Sequence, residues 1–244
     1  MFRYNRRIAV ILACALLMTA VPFTASAASS GAPGKTAITS IKATTASADK
    51  EGTITLKWKR VKDATGYQVY ARAYTDKKWK MVGKSGRFIT AMKCRATGGK
   101  YFFKVRAIRK SGGKVKKGAF SKKKEVFVKN RQTLENYIAG NADLQKKIKK
   151  TTEGKNVKTS VRKNDLVLTS DLSKIGGITE EQARNESTLA MLRNEMSKYR
   201  GKLGGVARDI QNATGIKGVR VITNYCWGDE VLVSVTFTAS DVKA

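Results

Sequence analysis

Hydrophobic and polar positions along this chain change period once, near residue 130. Before that point they alternate. Thr53-Ile54-Thr55-Leu56-Lys57-Trp58-Lys59 sets Ile54, Leu56 and Trp58 on one face, the two-residue period of a half-buried strand. Gly66-Tyr67-Gln68-Val69-Tyr70-Ala71-Arg72 repeats the pattern with Tyr67, Val69 and Ala71 inward. Tyr101 to Ala107 repeats it with Tyr101, Phe103, Val105 and Ala107 inward. Trp79 to Val82 reads as a short strand, and Ala37 to Ala43 and Glu125 to Val128 as outer strands. Turns are expected at Gly83, Gly98-Gly99 and Gly112-Gly113. Short strands with regular turn signals predict an all-β sandwich over residues 36–130, with Trp58, Tyr67, Tyr101 and Val105 in its core.

After residue 130 the period lengthens. Thr133 is a good N-cap, and Leu134, Tyr137 and Ile138 begin a helical face. Gly140-Asn141 interrupts it, and Asp143 to Lys150 continues with Leu144 and Ile148 inward. Val157, Thr159 and Val161 alternate, and Leu166 to Thr169 returns as their hairpin partner. Thr179 with Gln182 spells a capping box. Leu189, Leu192, Met196, Tyr199, Leu203, Val206 and Ile210 then form one apolar stripe on a helix of about 30 residues, which Gly201, Gly204 and Gly205 should kink and Gly215 should end. Such a stripe suits a core helix; a coiled-coil dimer is the alternative. Two strands around Gly228-Asp229 close the pattern. Residues 131–244 are therefore expected to form an α+β domain: a four-stranded antiparallel sheet with helices, one of them long, on one face.

Ahead of both lies a segment that reads as an address. Arg3, Arg6 and Arg7 precede an apolar run from Ile8 to Ala20, and Ala25-Ser26-Ala27 supplies small residues for cleavage. Residues 1–27 are the pattern of a secretory signal peptide, with cleavage expected before Ala28. Residues 28–35 read as a small-residue linker. No second apolar run approaches the length of a spanning helix, so no transmembrane segment is expected after cleavage. The expected location is secreted, extracellular or associated with a cell wall.

Composition narrows the chemistry. The 244 residues include 49 Lys or Arg, 18 Asp or Glu and no histidine, for a formal charge of +31. Histidine-based nucleophilic catalysis, His-ligated metals and imidazole switches are excluded. Past the signal only Cys94 and Cys226 remain; they read as two thiols, an interdomain disulfide being the alternative in an oxidising compartment. Charge is uneven. Residues 28–130 carry 27 basic and 5 acidic residues, and residues 131–244 carry 19 and 13.

Two stretches carry a resemblance. ITLKWKRVKDATGYQVYARAY followed by GGKYFFKVRAIRKSGGK resembles a fibronectin type III domain of exported Gram-positive bacterial proteins, over about residues 36–128. Trp58 falls where such domains carry the core tryptophan of their second strand. Tyr101 with Val105 falls at their tyrosine corner. The resemblance implies an immunoglobulin-like fold in which these aromatics are structural. TLENYIAGNADLQKKI, DLSKIGGITEEQA and ATGIKGVRVITNY are similar to an uncharacterised exported domain over about residues 132–238, which implies a location and no chemistry.

Alternation also selects the outward residues. Tyr70, Arg72, Phe102, Lys104 and Arg106 are expected to share one exposed face of the sandwich. Rings among cations suit a polyanion or an anionic glycan. Rings that merely favour strands, with lysines that keep a sheet soluble, are the plain alternative. Lysine runs at 77–80, 114–117 and 122–124 are expected in loops or at strand ends. Export argues against nucleic acid as partner and for an anionic cell-wall polymer or polysaccharide, with a protein partner open for residues 131–244. The acid pairs Glu180-Glu181 and Asp229-Glu230 open a helix and fill a turn, so neither suggests glycosidase geometry. No catalytic residue, metal ligand or cofactor is expected. The reading is a secreted, non-enzymatic binding or adhesion protein; a polysaccharide-binding accessory protein and a hydrolase in residues 131–244 are the alternatives.

Overall fold

The computed structural model describes residues 31–152 and 156–242, so the signal expected at 1–27 lies outside the described residues. The chain divides between Asn130 and Arg131 into two compact units.

The first unit is a sandwich of two sheets. β1 (Ile38–Ala43), β2 (Gly52–Trp58) and β5 (Ala91–Ala96) form one, in the order β1-β2-β5. β3 (Gly66–Ala73), β4 (Lys80–Gly86), β6 (Gly99–Ser111) and β7 (Lys114–Lys117) form the other, in the order β4-β3-β6-β7, with β8 (Lys124–Val128) also paired to β6. All pairings are antiparallel. A three-stranded sheet against one built on β3 and β6 is a fibronectin type III-like arrangement. Trp58, Tyr67, Phe103 and Val105 fill the space between the sheets, with the Trp58 and Tyr67 rings 5.7 Å apart. The Tyr101 hydroxyl donates to the Thr97 carbonyl at 3.1 Å and ties the turn before β6. Tyr67 does the same for the loop after β2, accepting from the Val61 N–H at 2.9 Å.

Three local expectations change. Gly83 lies inside β4, opposite a register shift between Val69 and Tyr70, because the strand continues past Val82. β5 (AMKCRA) is a strand not among the expected ones, although Met92, Cys94 and Ala96 alternate inward against Lys93 and Arg95. The run Lys114-Val115-Lys116-Lys117 is itself a strand, held by ladder bonds to β6 while its side chains stay in water.

The second unit is an α+β layer. β9 (Val157–Arg162) and β10 (Asp165–Asp171) form one hairpin, β11 (Arg220–Trp227) and β12 (Glu230–Thr238) the other. The sheet order is β12-β11-β10-β9, but β10 and β11 run parallel, so the sheet is mixed and not antiparallel throughout. A helical crossover from β10 carries the chain back to the same end of the sheet before β11 begins, which makes the two inner strands parallel. Before the sheet come α1 (Leu134–Ala139), capped by Thr133, and α2 (Ala142–Thr152), separated at Gly140-Asn141. The β9–β10 turn is fastened to α1: Leu134 N–H donates to Asn164 Oδ1 at 2.9 Å and Lys163 N–H to Glu135 Oε2 at 2.9 Å.

The crossover is three helices: α3 (Glu180–Arg184), α4 (Glu186–Lys198) and α5 (Arg200–Thr214). The expected long helix is broken at Tyr199 (φ −89°, ψ 5°), ahead of its glycines. The break resets the apolar face. Met196 stays buried, Tyr199 and Val206 turn outward, and Ala207 takes the buried position in α5. Gly204 lets α5 approach the C-terminal turn: a Cβ there would meet the Thr238 carbonyl oxygen at 2.6 Å. Gly215, in the left-handed region at φ 77°, caps α5 where a side chain would be strained. Leu134, Met196, Ala207, Val221, Val233 and Phe237 form the core under these helices.

Cys94 and Cys226 form no disulfide, and each is buried within its own unit. Burial, and next the nearby Asp171 charge, push the Cys226 thiol above its usual range.

Candidate functional site

The register of β3 against β6 sets the candidate face. Gln68 lies opposite Arg106, Tyr70 opposite Lys104, and Arg72 opposite Phe102. Rings and cations therefore alternate across the two strands, so each cation has a ring within reach of its stem. Arg72 lies over the Phe102 ring at 5.0 Å, and Arg106 over Tyr70 at 5.2 Å.

Two further rings close over this lattice. Trp79 stands immediately before β4. Phe120 lies between β7 and β8, where the last strand interrupts its pairing with β6 and Ser121 bonds instead to Val105. Lys104 Nζ sits 4.4 Å from the Trp79 ring centroid and 4.1 Å from that of Phe120. Phe120 meets Tyr70 edge-on at 5.1 Å and lies 4.7 Å from Arg106. Desolvation among these rings, and next the Arg106 charge, push the Lys104 ammonium below the usual lysine range. Arg106 is oriented by two hydrogen bonds, to Gln68 Oε1 at 2.7 Å and to the Tyr70 hydroxyl at 2.9 Å. Arg72 donates to the Asp76 carbonyl at 3.1 Å.

All five expected face residues thus lie in one place, but not equally in the open. Tyr70, Arg72, Lys104 and Arg106 are half-buried. Phe102, expected on the exposed surface, is only 9% exposed, because Arg72 and Lys123 lie over its ring. Gln68 is likewise covered, at 8%. Gln68 points outward with Tyr70 and Arg72 as alternation implies; Trp79, Phe120 and Lys123 are members that alternation did not single out. Trp79, expected inside a strand with Lys80 to Val82, stands just before β4, and Phe120 reaches the face from a strand interruption, which leaves no periodic signal.

The carboxylates nearest the face are taken by other cations: Glu125, opposite Phe102 in the register, by Lys100, and Asp76 by Lys80. Among the described residues no ion pair joins Arg72, Lys104 or Arg106 to a carboxylate; the sandwich pairs Lys80 with Asp76, Lys100 with Glu125, and Arg109 with Asp63. A ring holds a cation in place without cancelling its charge. A second basic feature lies along the edge of the sandwich. Lys35, Lys59, Lys122 and Lys124 line a cleft of about 440 Å³ that has no carboxylate in its wall.

The second unit handles its charges differently. One member of each acid pair singled out in the sequence meets the same arginine: Arg184 bonds Glu180 at 2.8 Å and Glu230 at 2.7 Å. The guanidinium holds the Glu230 carboxyl below its usual range. Among the described residues no group of three or more His, Cys, Asp or Glu side chains could hold a metal, and no helix is long and apolar enough to cross a membrane.

No protein-family model and no curated protein matches the sequence. The chain is similar over 40% of its length to a β-1,2-glucanase from Parabacteroides distasonis, at 17% identity and a TM-score of 0.32, and spans 12% of that enzyme. It is similar over 42% to an Fn3-like protein from Clostridium thermocellum, at 18% identity and a TM-score of 0.26, spanning 94% of that chain. It is similar over 43% to the FN3 domain of human collagen XX, at 16% identity and a TM-score of 0.27, spanning all of it. The fold of the first unit rests on its own strand order.

Proposed function

We propose that the chain is an exported, non-enzymatic binding protein whose basic sandwich holds it to anionic polymers of a cell envelope. One observation carries this reading: Arg72, Lys104 and Arg106 are held side by side on aromatic rings, without carboxylates to neutralise them. Desolvating Lys104 beside Arg106 disfavours its charged form, and an anionic ligand would relieve that cost. The lysine-lined cleft offers a second strip of the same sign, so a chain of repeated phosphates could meet both.

The geometry favours charge over sugar stacking. A glycan site would need open ring faces, yet Arg72 and Lys123 lie over Phe102, and Phe120 and Arg106 crowd Tyr70. The capture of Glu180 and Glu230 by Arg184 speaks for binding over hydrolysis in the second unit, to which a protein contact is assigned.

Co-sedimentation with Gram-positive cell walls, native and stripped of their phosphate polymers, tests the reading. Binding should vanish on stripped walls and fall steeply with salt. Salt-resistant binding to stripped walls would defeat it and favour a glycan site.

A further inference from the structure

The most exposed large apolar side chains of the sandwich are neighbours. Phe88 is 66% and Ile89 57% exposed, in the four-residue turn between β4 and β5. The turn is braced so that they stand outward. Ile89 N–H donates to the Gly86 carbonyl at 3.2 Å, Ser85 Oγ to the Ile89 carbonyl at 3.0 Å, and Trp58 N–H to the Thr90 carbonyl at 2.9 Å. A braced turn cannot fold its apolar tip back on the sandwich.

Cations flank the tip. The Arg60 guanidinium lies 4.7 Å and that of Arg87 5.0 Å from the Phe88 ring centroid. Arg60, Lys62 and Arg87 also line a cleft of about 360 Å³ beside it. The one carboxylate in that wall, Asp63, is engaged by Arg109 at 3.4 Å. Arg109, itself buried, also donates to the carbonyls of Asp63 at 2.9 Å and Gly31 at 3.0 Å, which fixes the wall. The cleft therefore presents fixed positive charge next to a protruding apolar wedge.

We propose that this turn docks on the surface of a bilayer containing anionic phospholipid. Phe88 and Ile89 would enter the boundary between headgroups and acyl chains, while Arg60, Lys62 and Arg87 remain level with the lipid phosphates. Two protruding apolar residues are far too small a patch for a stable protein interface, which takes about 800 Å² per partner. The same two residues collared by cations match the polarity step at a bilayer surface. This site is separate from the ring-borne cations of β3 and β6 and does not depend on them.

The test uses the chain from Ala28 onward, which contains every described residue, floated with phosphatidylcholine vesicles with and without phosphatidylglycerol. The protein should bind the phosphatidylglycerol vesicles, and part of that binding should survive high salt. The double variant F88S/I89S should reduce the salt-resistant part about tenfold or more, with wall binding unchanged. The variant R60Q/R87Q should weaken binding at low salt. F88W, read as the difference from the parent emission, should shift to the blue with phosphatidylglycerol vesicles; this keeps the test valid if the double variant folds poorly. Equal flotation of the parent and F88S/I89S at every salt, or no blue shift of F88W, would overturn the proposal. Loss of wall binding in F88S/I89S without any vesicle binding by the parent would assign the tip to a wall partner and overturn it equally.

Discussion

The two units answer one problem, excess positive charge, with different chemistry. The second pairs several of its arginines with acids: Arg184 with Glu180 and Glu230, Arg193 with Glu186 at 2.8 Å, Arg200 with Asp241 at 2.8 Å, and Arg220 with Asp165 at 2.6 Å. The sandwich has 27 basic residues against 5 acidic ones and lays cations on rings instead. A carboxylate cancels the charge it holds, whereas a ring leaves the field in place. The same fold-level need, keeping long basic side chains ordered, therefore leaves one unit with several of its arginines paired and the other with cations ready for an anion.

The sharpest break of this comparison is in the cores. Trp58→Ala should cost the sandwich about 3–5 kcal/mol, as for other buried large-to-small changes. Calorimetry of the full chain should show the loss in one transition while the second unit keeps its own.

Next in size is a pair of glycines in α5. Gly204→Ala should destabilise the second unit by about 1–3 kcal/mol, since its Cβ would press on backbone. Gly205, with nothing within 4 Å of a Cβ, should give the reverse: Ala there should stabilise by about 0.5–1 kcal/mol. Urea unfolding of both variants checks the sign. Thr179→Ala removes the capping box, in which Thr179 N–H donates to Gln182 Oε1 at 2.9 Å, and should cost about 1 kcal/mol.

Acid should separate the units more gently. Asp241 is held below the usual 3.8, chiefly by the Thr238 backbone N–H and next by Arg200, and Glu230 below the usual 4.5, chiefly by Arg184. Folding favours their ionised forms, so their contribution is full above those usual values and is lost as pH falls through the lower folded ones. Melting temperatures at neutral pH and near pH 3 should therefore drop more for the second unit.

How much of this was legible in sequence depended on periodicity. Ile54, Leu56 and Trp58 in β2, and Tyr101, Phe103 and Val105 in β6, announce their strands, and Thr133, Thr179 and Gly215 mark helix ends through local bonding. β5 alternates, with Met92, Cys94 and Ala96 inward, but on small or flexible apolar residues and without a strand-favouring β-branched or aromatic side chain. The parallel pairing of β10 with β11 was hidden, since alternation tells which face a residue occupies and nothing about strand direction. The break at Tyr199 escaped for a related reason. Glycines mark where a helix is weak, whereas the close approach of Gly204 to the Thr238 carbonyl depends on tertiary packing. At the candidate face, Tyr70, Arg72, Phe102, Lys104 and Arg106 could be read from β3 and β6. Of the two rings that enclose Lys104, Trp79 was read into a strand that in fact begins at Lys80, and Phe120 arrives from a segment with no period.

The most direct test of the central claim is the salt dependence of binding to inorganic polyphosphate, for the parent chain and for R72M/K104M/R106M. Methionine keeps apolar stems over the rings while removing the charges. The account predicts weaker binding and a slope of log affinity against log salt that is shallower by about three, near one per cation removed. Equal affinity and equal slope would show that the ring-borne cations only order the sandwich, and would contradict the account.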